Sequence, residues 1–567
     1  MVPSTSHRAR LVLVAAALFF VATYVRAIDY EFVWDDRNNI HDNGSLHESL
    51  REALFRTEHD HIDTNLRKLE GLRPKHDSYR PVLHLSYRVG MALFGATPRA
   101  FRIHDMVLGL LNVFLVFAVV RRWLFLGGQP SEFPAAVAAA LFAIHPIAVE
   151  PIVYVSGRGD LLAAFGALLC LYCALRATSL AGLGAWTRRA GWIGGSVLAL
   201  AASFFSKEVF IALPAVILLM GWSIGATRRA AIPAGVLVLA LVGLFLVRID
   251  VAGAGGAGSA GDALMQLPNM GFALLRAMAL PLGLSIGRGL PTASWVFGWG
   301  GLAAGGLLAL VLQWRHEPRL VPLRIAVVGT SMAFLFLGPA AVVAMIMGEL
   351  PDRYAYLSLF GFVVGVVVLF GFLVSEVPRL RILFHGSFLL WVGLLLFVNW
   401  MQVGTWRSNE TLYEYAVLAE EQSAVSFYRL GVEYARQGRF VEAEGALARS
   451  LALDGSDLRA HNNMAVVLMN LGQPDRAEVH LRRVLQASSG THYRAFYNLG
   501  LVQLGRGDRK GACTSFQLAL RTDPNYGKAK AAFEQHCGIA PSAGTETSDG
   551  NAEGDPSEGI TAPNPAR

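Results

Sequence analysis

Two adjacent carboxylates, Asp35 and Asp36, follow Trp34 directly behind the first apolar run of the chain. A carboxylate in such a place can accept a proton from an attacking hydroxyl, and a pair of them can hold half the ligands of a divalent cation. It can equally cap a helix or mark topology. Four cations recur near the ends of later apolar runs: Arg80, Arg158, Lys207 and Arg353. Arginine suits two-point contact with a phosphate, and lysine serves as a compact charge. Beside them stand Asp160, Glu208 and Tyr354. Each has a plainer role open to it. Asp160 suits a helix first turn, Arg158 can reach back to the interface, Lys207 and Glu208 can neutralise one another, and Arg353-Tyr354 can anchor at an interface. His145-Pro146 falls late in an apolar run, where proline breaks a helix and frees a carbonyl.

The elements that must hold these residues are mostly membrane helices. Of 567 residues, 54% are hydrophobic and 16% charged, against about 25% charged in ordinary soluble proteins. Runs long enough to cross a bilayer recur at 11–28, 103–122, 134–152, 160–176, 190–205, 208–224, 231–247, 295–313, 322–342, 355–375 and 382–403. The expected fold is therefore all-α, a polytopic bundle of about eleven spans. The first run lacks a small-residue cleavage site before Asp29 and reads as an uncleaved helix.

Arginines set the orientation. Arg8 and Arg10, Arg121-Arg122, Arg176 with Arg188 and Arg189, Arg228-Arg229, Arg315 with Arg319 and Arg324, and Arg379 with Arg381 fall at alternate loops. All lie on the cytoplasmic side if two further apolar segments, Tyr79 to Phe94 and Met270 to Ile286, do not cross. Both read as interfacial or re-entrant helices on the outer face. The net charge of +7 is accounted for by these loops, so no nucleic-acid partner is implied. The named site residues all fall on the outer face, at span ends rather than mid-span where a transporter would carry them.

After about residue 423 the sequence turns polar and helical. Phe427, Leu430-Gly431, Tyr434, Ala443 and Leu447 recur 34 residues on as His461, Met464-Ala465, Leu468, Ala477 and Leu481. They recur again, one residue late, as Phe496, Leu499-Gly500, Ala512, Phe516 and Pro524. This is the spacing of tetratricopeptide helix pairs. Asn525 to Gln535 reads as a capping helix. Residues 1–410 thus form the membrane domain, with 29–102 as its first outer loop, 423–537 the repeat domain, and 538–567 a disordered tail. A repeat stack binds peptide-like partners or acts as a spacer. The four cysteines lack metal-site spacing, Cys170 and Cys173 read as packing residues, and a disulfide framework is not expected.

Trp34-Asp35-Asp36, Tyr79-Arg80-Pro81-Val82, His145-Pro146-Ile147-Ala148-Val149-Glu150, Gly157-Arg158-Gly159-Asp160, Ser206-Lys207-Glu208 and Asp352-Arg353-Tyr354-Ala355-Tyr356 occur in an order that resembles one family. It is the GT-C-fold transmembrane and tetratricopeptide-repeat-containing O-mannosyltransferases and their bacterial relatives. The resemblance implies transfer of mannose or a similar hexose from a polyprenyl- or dolichyl-phosphate donor to an acceptor hydroxyl, on a protein Ser or Thr, at the non-cytoplasmic face. It implies a catalytic carboxylate in the first outer loop, Asp35 or Asp36, with a divalent cation left open, and Arg80, Arg158, Asp160, Lys207, Glu208, Arg353 and Tyr354 as substrate and phosphate contacts. The repeats would present a protein or peptide acceptor, and membrane lipid would surround the spans. The Arg-, Ala- and Gly-rich composition points to a bacterial plasma membrane with the repeats outside, or to the endoplasmic reticulum if the chain is eukaryotic. The rival reading is a non-catalytic membrane scaffold whose repeats recruit envelope proteins; a lone anchor needs one span, not eleven.

Overall fold

A computed structural model of the chain describes residues 5–36, 40, 80–180, 185–207, 211–252, 270, 273–282, 284, 288–289, 317–347 and 349–538. The expected span 295–313, Glu208, most of the first outer loop and the tail lie outside the described residues. Those described divide into two units, one up to Ser408 and one from Asn409.

The first unit begins with α1 (Thr5–Tyr24). Next come α2 (Pro81–Phe94), α3 (Pro98–Leu126), α4 (Glu132–Ile144), α5 (Val149–Val153) and α6 (Arg158–Ser179). Then follow α7 (Trp186–Phe204), α8 (Leu213–Ser223), α9 (Thr227–Ala252), α10 (Val321–Met347), α11 (Ser358–Glu376) and α12 (Arg381–Thr405). Among the described residues, seven helices are long and apolar enough to cross a membrane, and α4 with the segment through α5 adds one bent pair. The unit is a polytopic helical bundle. Arg288–Gly289 and Glu349–Leu350 form a two-residue antiparallel ladder.

α6 is the central helix: 72% of its span is buried, against at most 50% in the other long spans. It packs on α3 and α7, and Gly166 lets it approach α7 so closely that a Cβ there would meet Ala199 O at 2.7 Å. Leu239 and Leu246 on α9, and Ile382 and Leu390 on α12, are exposed. These are the faces expected to meet acyl chains, since only a hydrocarbon solvent makes such an apolar exterior favourable.

Three segments differ from their expected spans; the run 190–205 falls in α7, which is not among the seven helices apolar enough to cross. The run 134–152 is not one helix but two, bent by 57° at His145-Pro146. Proline cannot donate to the helix ladder, so the chain breaks there. The His145 ring accepts from Ile147 N at 3.2 Å and donates through Nε2 to Met278 O at 2.8 Å. The His145 carbonyl accepts from Ala148 N at 2.9 Å and from Asn399 of α12 at 3.3 Å. The run 208–224 yields only the 11-residue α8, about 17 Å at 1.5 Å per residue, short of the roughly 30 Å core. α2, with 14 residues, is likewise too short to cross, as expected of an interfacial helix. It buries Leu83, Tyr87 and Gly90 and exposes Leu85, Val89 and Leu93.

The second unit opens with α13 (Asn409–Ala419), a helix outside the expected repeat boundaries. It is joined to the stack by Tyr434 Oη donating to Glu414 at 3.0 Å and by an Arg439–Glu410 ion pair. Three hairpins follow: α14 (Ala424–Arg436) with α15 (Phe440–Leu453), α16 (Leu458–Asn470) with α17 (Pro474–Ala487), and α18 (Tyr493–Gly505) with α19 (Arg509–Thr522). Ser423, Asp457 and Asp508 accept backbone N–H groups at their starts, satisfying donors that a helix end leaves open. Gly431 faces Leu447 and Gly500 faces Phe516, each too closely for a Cβ. The last element, α20 (Gly527–Cys537), covers the exposed face of the third hairpin through Ala532, Phe533 and Cys537 against Ala512 and Phe516.

Cys513 and Cys537 form a disulfide, with Cα atoms 5.6 Å apart. This corrects the expectation from cysteine spacing. The two are 24 residues apart in sequence, and only the docking of α20 on α19 brings them together. Cys170 and Cys173 are buried free thiols.

The backbone-to-backbone contact between α10 and α11 gives a direct test. A Cβ at Gly361 of α11 would lie 2.5 Å from Gly329 O and 2.7 Å from Ala333 N of α10, whereas at Gly371 it would meet nothing within 4 Å. Gly361→Val is expected to lower thermal stability in detergent by about 1–3 kcal/mol or more, because backbone cannot yield as a side chain can. Gly371→Val should melt with the parent.

Candidate functional site

The chain leaves α1 into a turn whose position is set by one buried guanidinium. Arg102 of α3 is 1% exposed. Its Nε donates to Val153 O at 3.1 Å, and its two terminal nitrogens donate to the carbonyls of Tyr30 and Glu31. Residues 30–31 are thereby clamped to the end of α5. Three residues after Glu31, Trp34 adopts φ 56°, a left-handed conformation uncommon for a bulky residue. Its ring stacks on Tyr154 at 5.3 Å, which in turn packs on the buried Trp406.

This turn sends the two carboxylates to different environments. Asp36 is fully buried. Its Oδ1 accepts from Ser156 N at 2.7 Å, and Oδ2 lies 3.4 Å from Val155 N and 3.5 Å from Val33 N. Burial raises its pKa to about 6, opposed by the Ser156 N–H and the charge of Arg102. Asp35 is half-buried, with Oδ2 accepting from Tyr154 Oη at 3.5 Å. The pair does not converge on a shared cation: the Asp36 oxygens already accept backbone N–H groups. Among the described residues no group of three or more His, Cys, Asp or Glu side chains is placed to hold a metal.

Next to this turn lies a charged cluster built from three distant segments. Arg353 Nη1 is 2.5 Å from Glu150 Oε1, its backbone N donates to Glu150 Oε2 at 3.2 Å, and its Nε is 4.0 Å from Asp160. Its guanidinium carbon sits 5.1 Å from the Trp34 ring and 5.5 Å from those of Tyr154 and Tyr354. Lys207 pairs with the other Asp160 oxygen and lies 4.5 Å from the Tyr354 ring. Burial lowers the Lys207 pKa, Asp160 opposes that, and Arg353 and Arg80 add to the lowering. Burial likewise disfavours the charge on Arg353, but Glu150 and the other anionic neighbours hold it more firmly protonated than usual. Arg80 closes the start of α2, its charge felt at Lys207 and at Tyr354, whose hydroxyl burial pushes up.

Arg158 sits apart from this cluster. Its Nε is 2.5 Å from Asp105, and it donates to Phe101 O at 3.0 Å and Ser86 O at 3.4 Å between the rings of Tyr87 and Phe101. The Arg158 and Asp105 side chains are buried, so Arg158 holds α2, α3 and α6 together. Sequence reasoning passed over Arg102 and Asp105, both within the apolar α3. Their signal was available: ionisable residues inside a spanning helix face the protein interior and mark its polar centre. Glu150 and Trp34 were in view, but not as partners of Arg353, and Tyr154 was passed over. Glu208 lies outside the described residues.

Residues 434–499 and 493–526 each match a tetratricopeptide-repeat family profile. Protein O-mannosyl-transferase TMTC2 of Homo sapiens is 31% identical over 208 residues, 36% of this chain and 23% of that protein. Protein O-mannosyl-transferase Tmtc1 of Drosophila melanogaster is 30% identical over 161 residues, 28% of this chain and 18% of that protein. Human TMTC3, of the same name class, is 32% identical over 142 residues, 25% of this chain and 14% of that protein. The chain resembles the tetratricopeptide-repeat O-mannosyltransferases. The matched stretches span about a fifth of those relatives' own length. A solved structure, the APC/C hetero-tetramer Cut9-Hcn1, aligns over 81% of this chain and 92% of that chain at 13% identity; its TM-score of 0.24 carries no weight for the fold.

The two aspartates should separate by stability. Asp36→Ala leaves the Val155 and Ser156 N–H groups buried without an acceptor and is expected to cost about 1–3 kcal/mol in thermal or denaturant unfolding. Asp35→Ala should stay within about 0.5 kcal/mol. With a folded-state pKa of about 6 against an ordinary 3.8, folded Asp36 takes up its proton before the unfolded chain does. Its contribution to stability therefore falls as pH rises from about 4 to about 6, and Asp36→Asn should remove that part of the pH slope.

Proposed function

We propose that the chain is a membrane glycosyltransferase. It would move mannose or a similar hexose from a polyprenyl- or dolichyl-phosphate to a protein Ser or Thr hydroxyl on the non-cytoplasmic face. The carrying observation is the placement of Asp35 beside a cation cluster with unused donors. Arg353 Nη2 makes no hydrogen bond to the described residues, and Lys207 gives one of its three N–H donors to Asp160. A donor phosphate can take those positions without breaking the Glu150 and Asp160 pairs that keep both cations charged.

The chemistry needs little beyond this. The acceptor oxygen attacks the anomeric carbon as the carbon–oxygen bond to phosphate breaks, and the configuration inverts. The leaving phosphate keeps the bonding electrons and is stabilised by Lys207, Arg353 and the nearby charge of Arg80. Asp35 takes the hydroxyl proton late in the displacement. Asp36, Glu150 and Asp160 are positioning residues, and so is Arg158 through Asp105. The names carried by the relatives support a sugar-transfer reading. The Cys513–Cys537 disulfide supports an oxidising location for the repeats, where they would engage an acceptor protein.

Purified protein given labelled polyprenyl-phosphate sugars and Ser/Thr peptides is expected to transfer sugar. Asp35→Asn should reduce turnover at least about 100-fold with an unchanged melting profile. Parent-like turnover in that variant would remove Asp35 from the chemistry. Arg353→Lys should also depress transfer, because a compact ammonium lacks the planar fork that reaches Glu150 and Asp160 while pointing a further N–H at phosphate. A reporter fused after Arg567 is expected to be active outside the cytoplasm; activity inside would invert the assigned topology.

A further inference from the structure

On the face that carries the basic loops, opposite the site above, span ends enclose a cavity of about 610 Å³ lined by Arg228, Arg229 and Arg324. Hydroxyls of Thr178 and Ser179 and the ring of Trp222 add to its polar wall, and no carboxylate lines it among the described residues. Two more cations adjoin it. Arg122 donates to Ser179 Oγ at 2.5 Å, and its Nε is buried without a hydrogen-bond partner among the described residues. Arg189 donates to the Arg229 carbonyl at 3.0 Å. Guanidinium groups gathered around one concave site repel one another, and an anion entering the site lowers that repulsion.

The surroundings favour an anion that carries a hydrocarbon tail. Arg228, Ile232, Leu239 and Leu246 fall on one stripe of α9 at helical spacing. Ile232, Leu239 and Leu246 are 41%, 74% and 63% exposed. An apolar stripe therefore runs from the mouth of the cavity along the membrane-spanning length of the helix. Trp222 sits where indoles prefer the boundary between hydrocarbon and water.

We propose that this cavity binds the phosphate headgroup of an anionic phospholipid from the leaflet on the basic-loop side, its acyl chains lying along α9. The proposal is independent of the transfer site, since it uses none of those residues. The lipid would pin the ends of α3, α6, α8, α9 and α10, all of which contribute to the cavity wall.

Native mass spectrometry of the full chain in detergent, titrated with phosphatidylglycerol or phosphatidylcholine, tests it. The parent should retain phosphatidylglycerol in preference to phosphatidylcholine. The variant R228Q/R229Q/R324Q should weaken that retention about 100-fold, each basic residue near a membrane surface contributing roughly a factor of five. Arg228 and Arg229 are exposed, so R228Q/R229Q alters no core packing and should still lose about 25-fold if the triple variant does not fold. The control R379Q/R381Q removes two exposed arginines elsewhere on the same face and should bind as the parent does. Parent-like phosphatidylglycerol binding in R228Q/R229Q, equal retention of phosphatidylcholine, or displacement of the lipid by equimolar inorganic phosphate would each overturn the proposal.

Discussion

The membrane unit depends on burying charge without isolating it. Arg102 places a guanidinium at 1% exposure and distributes its donors over the carbonyls of Tyr30, Glu31 and Val153. Those three carbonyls belong to the loop after α1 and to the end of the broken helix, segments that share no secondary structure. One apolar side chain in place of Arg102 would take the donor from all three carbonyls, with nothing to fix the turn that presents Asp35. A lone buried charge is costly, and here carbonyl dipoles with Asp36 and Asp105 nearby offset that cost. Arg158 with Asp105 follows the same logic one turn along α3, and Arg353 with Glu150 repeats it at the site.

The break at His145-Pro146 is the second device. An unbroken helix through 132–153 would satisfy its own carbonyls and carry Glu150 and Val153 along its axis. The bend of 57° turns the following residues across the end of the bundle. Glu150 can then meet Arg353, and Tyr154 can lie between Trp34 and Trp406. The polar groups released by the break are taken up by Asn399, Ile147 N and Met278 O. Irregular backbone at this depth is sustainable only where protein groups replace the missing ladder bonds.

The repeat unit is built on the opposite principle, with local contacts throughout. Each hairpin packs on its neighbours in sequence, small residues at Gly431 and Gly500 admit the facing Leu447 and Phe516, and α20 ends the stack. Its disulfide closes that last contact covalently. In such a stack stability accumulates from neighbour to neighbour, so tying down the final helix guards the end from which it would fray.

Periodicity and composition alone settled what kind of molecule this is. The apolar runs, the alternation of arginine-bearing loops and the recurrence from Phe427 to His461 to Phe496 depend on local pattern, and local pattern is what solvent and the helix ladder read first. They also flagged the segments that carry Asp35, Arg80, Asp160, Lys207 and Arg353, because polar residues at span ends stand out against an apolar background. The tertiary structure decided how those residues are used. Asp35 and Asp36 are identical in type and adjacent in sequence, yet the left-handed turn at Trp34 buries one against backbone N–H groups and leaves the other at the cluster. Arg158 and Arg353 look alike from the sequence, and only the packing of α3 against α6 commits the former to Asp105. The Cys513–Cys537 bond likewise has no sequence signature, since it exists only where α20 docks. Partner choice among charged side chains is a long-range property, set by which helices meet, and spacing along the chain does not encode it.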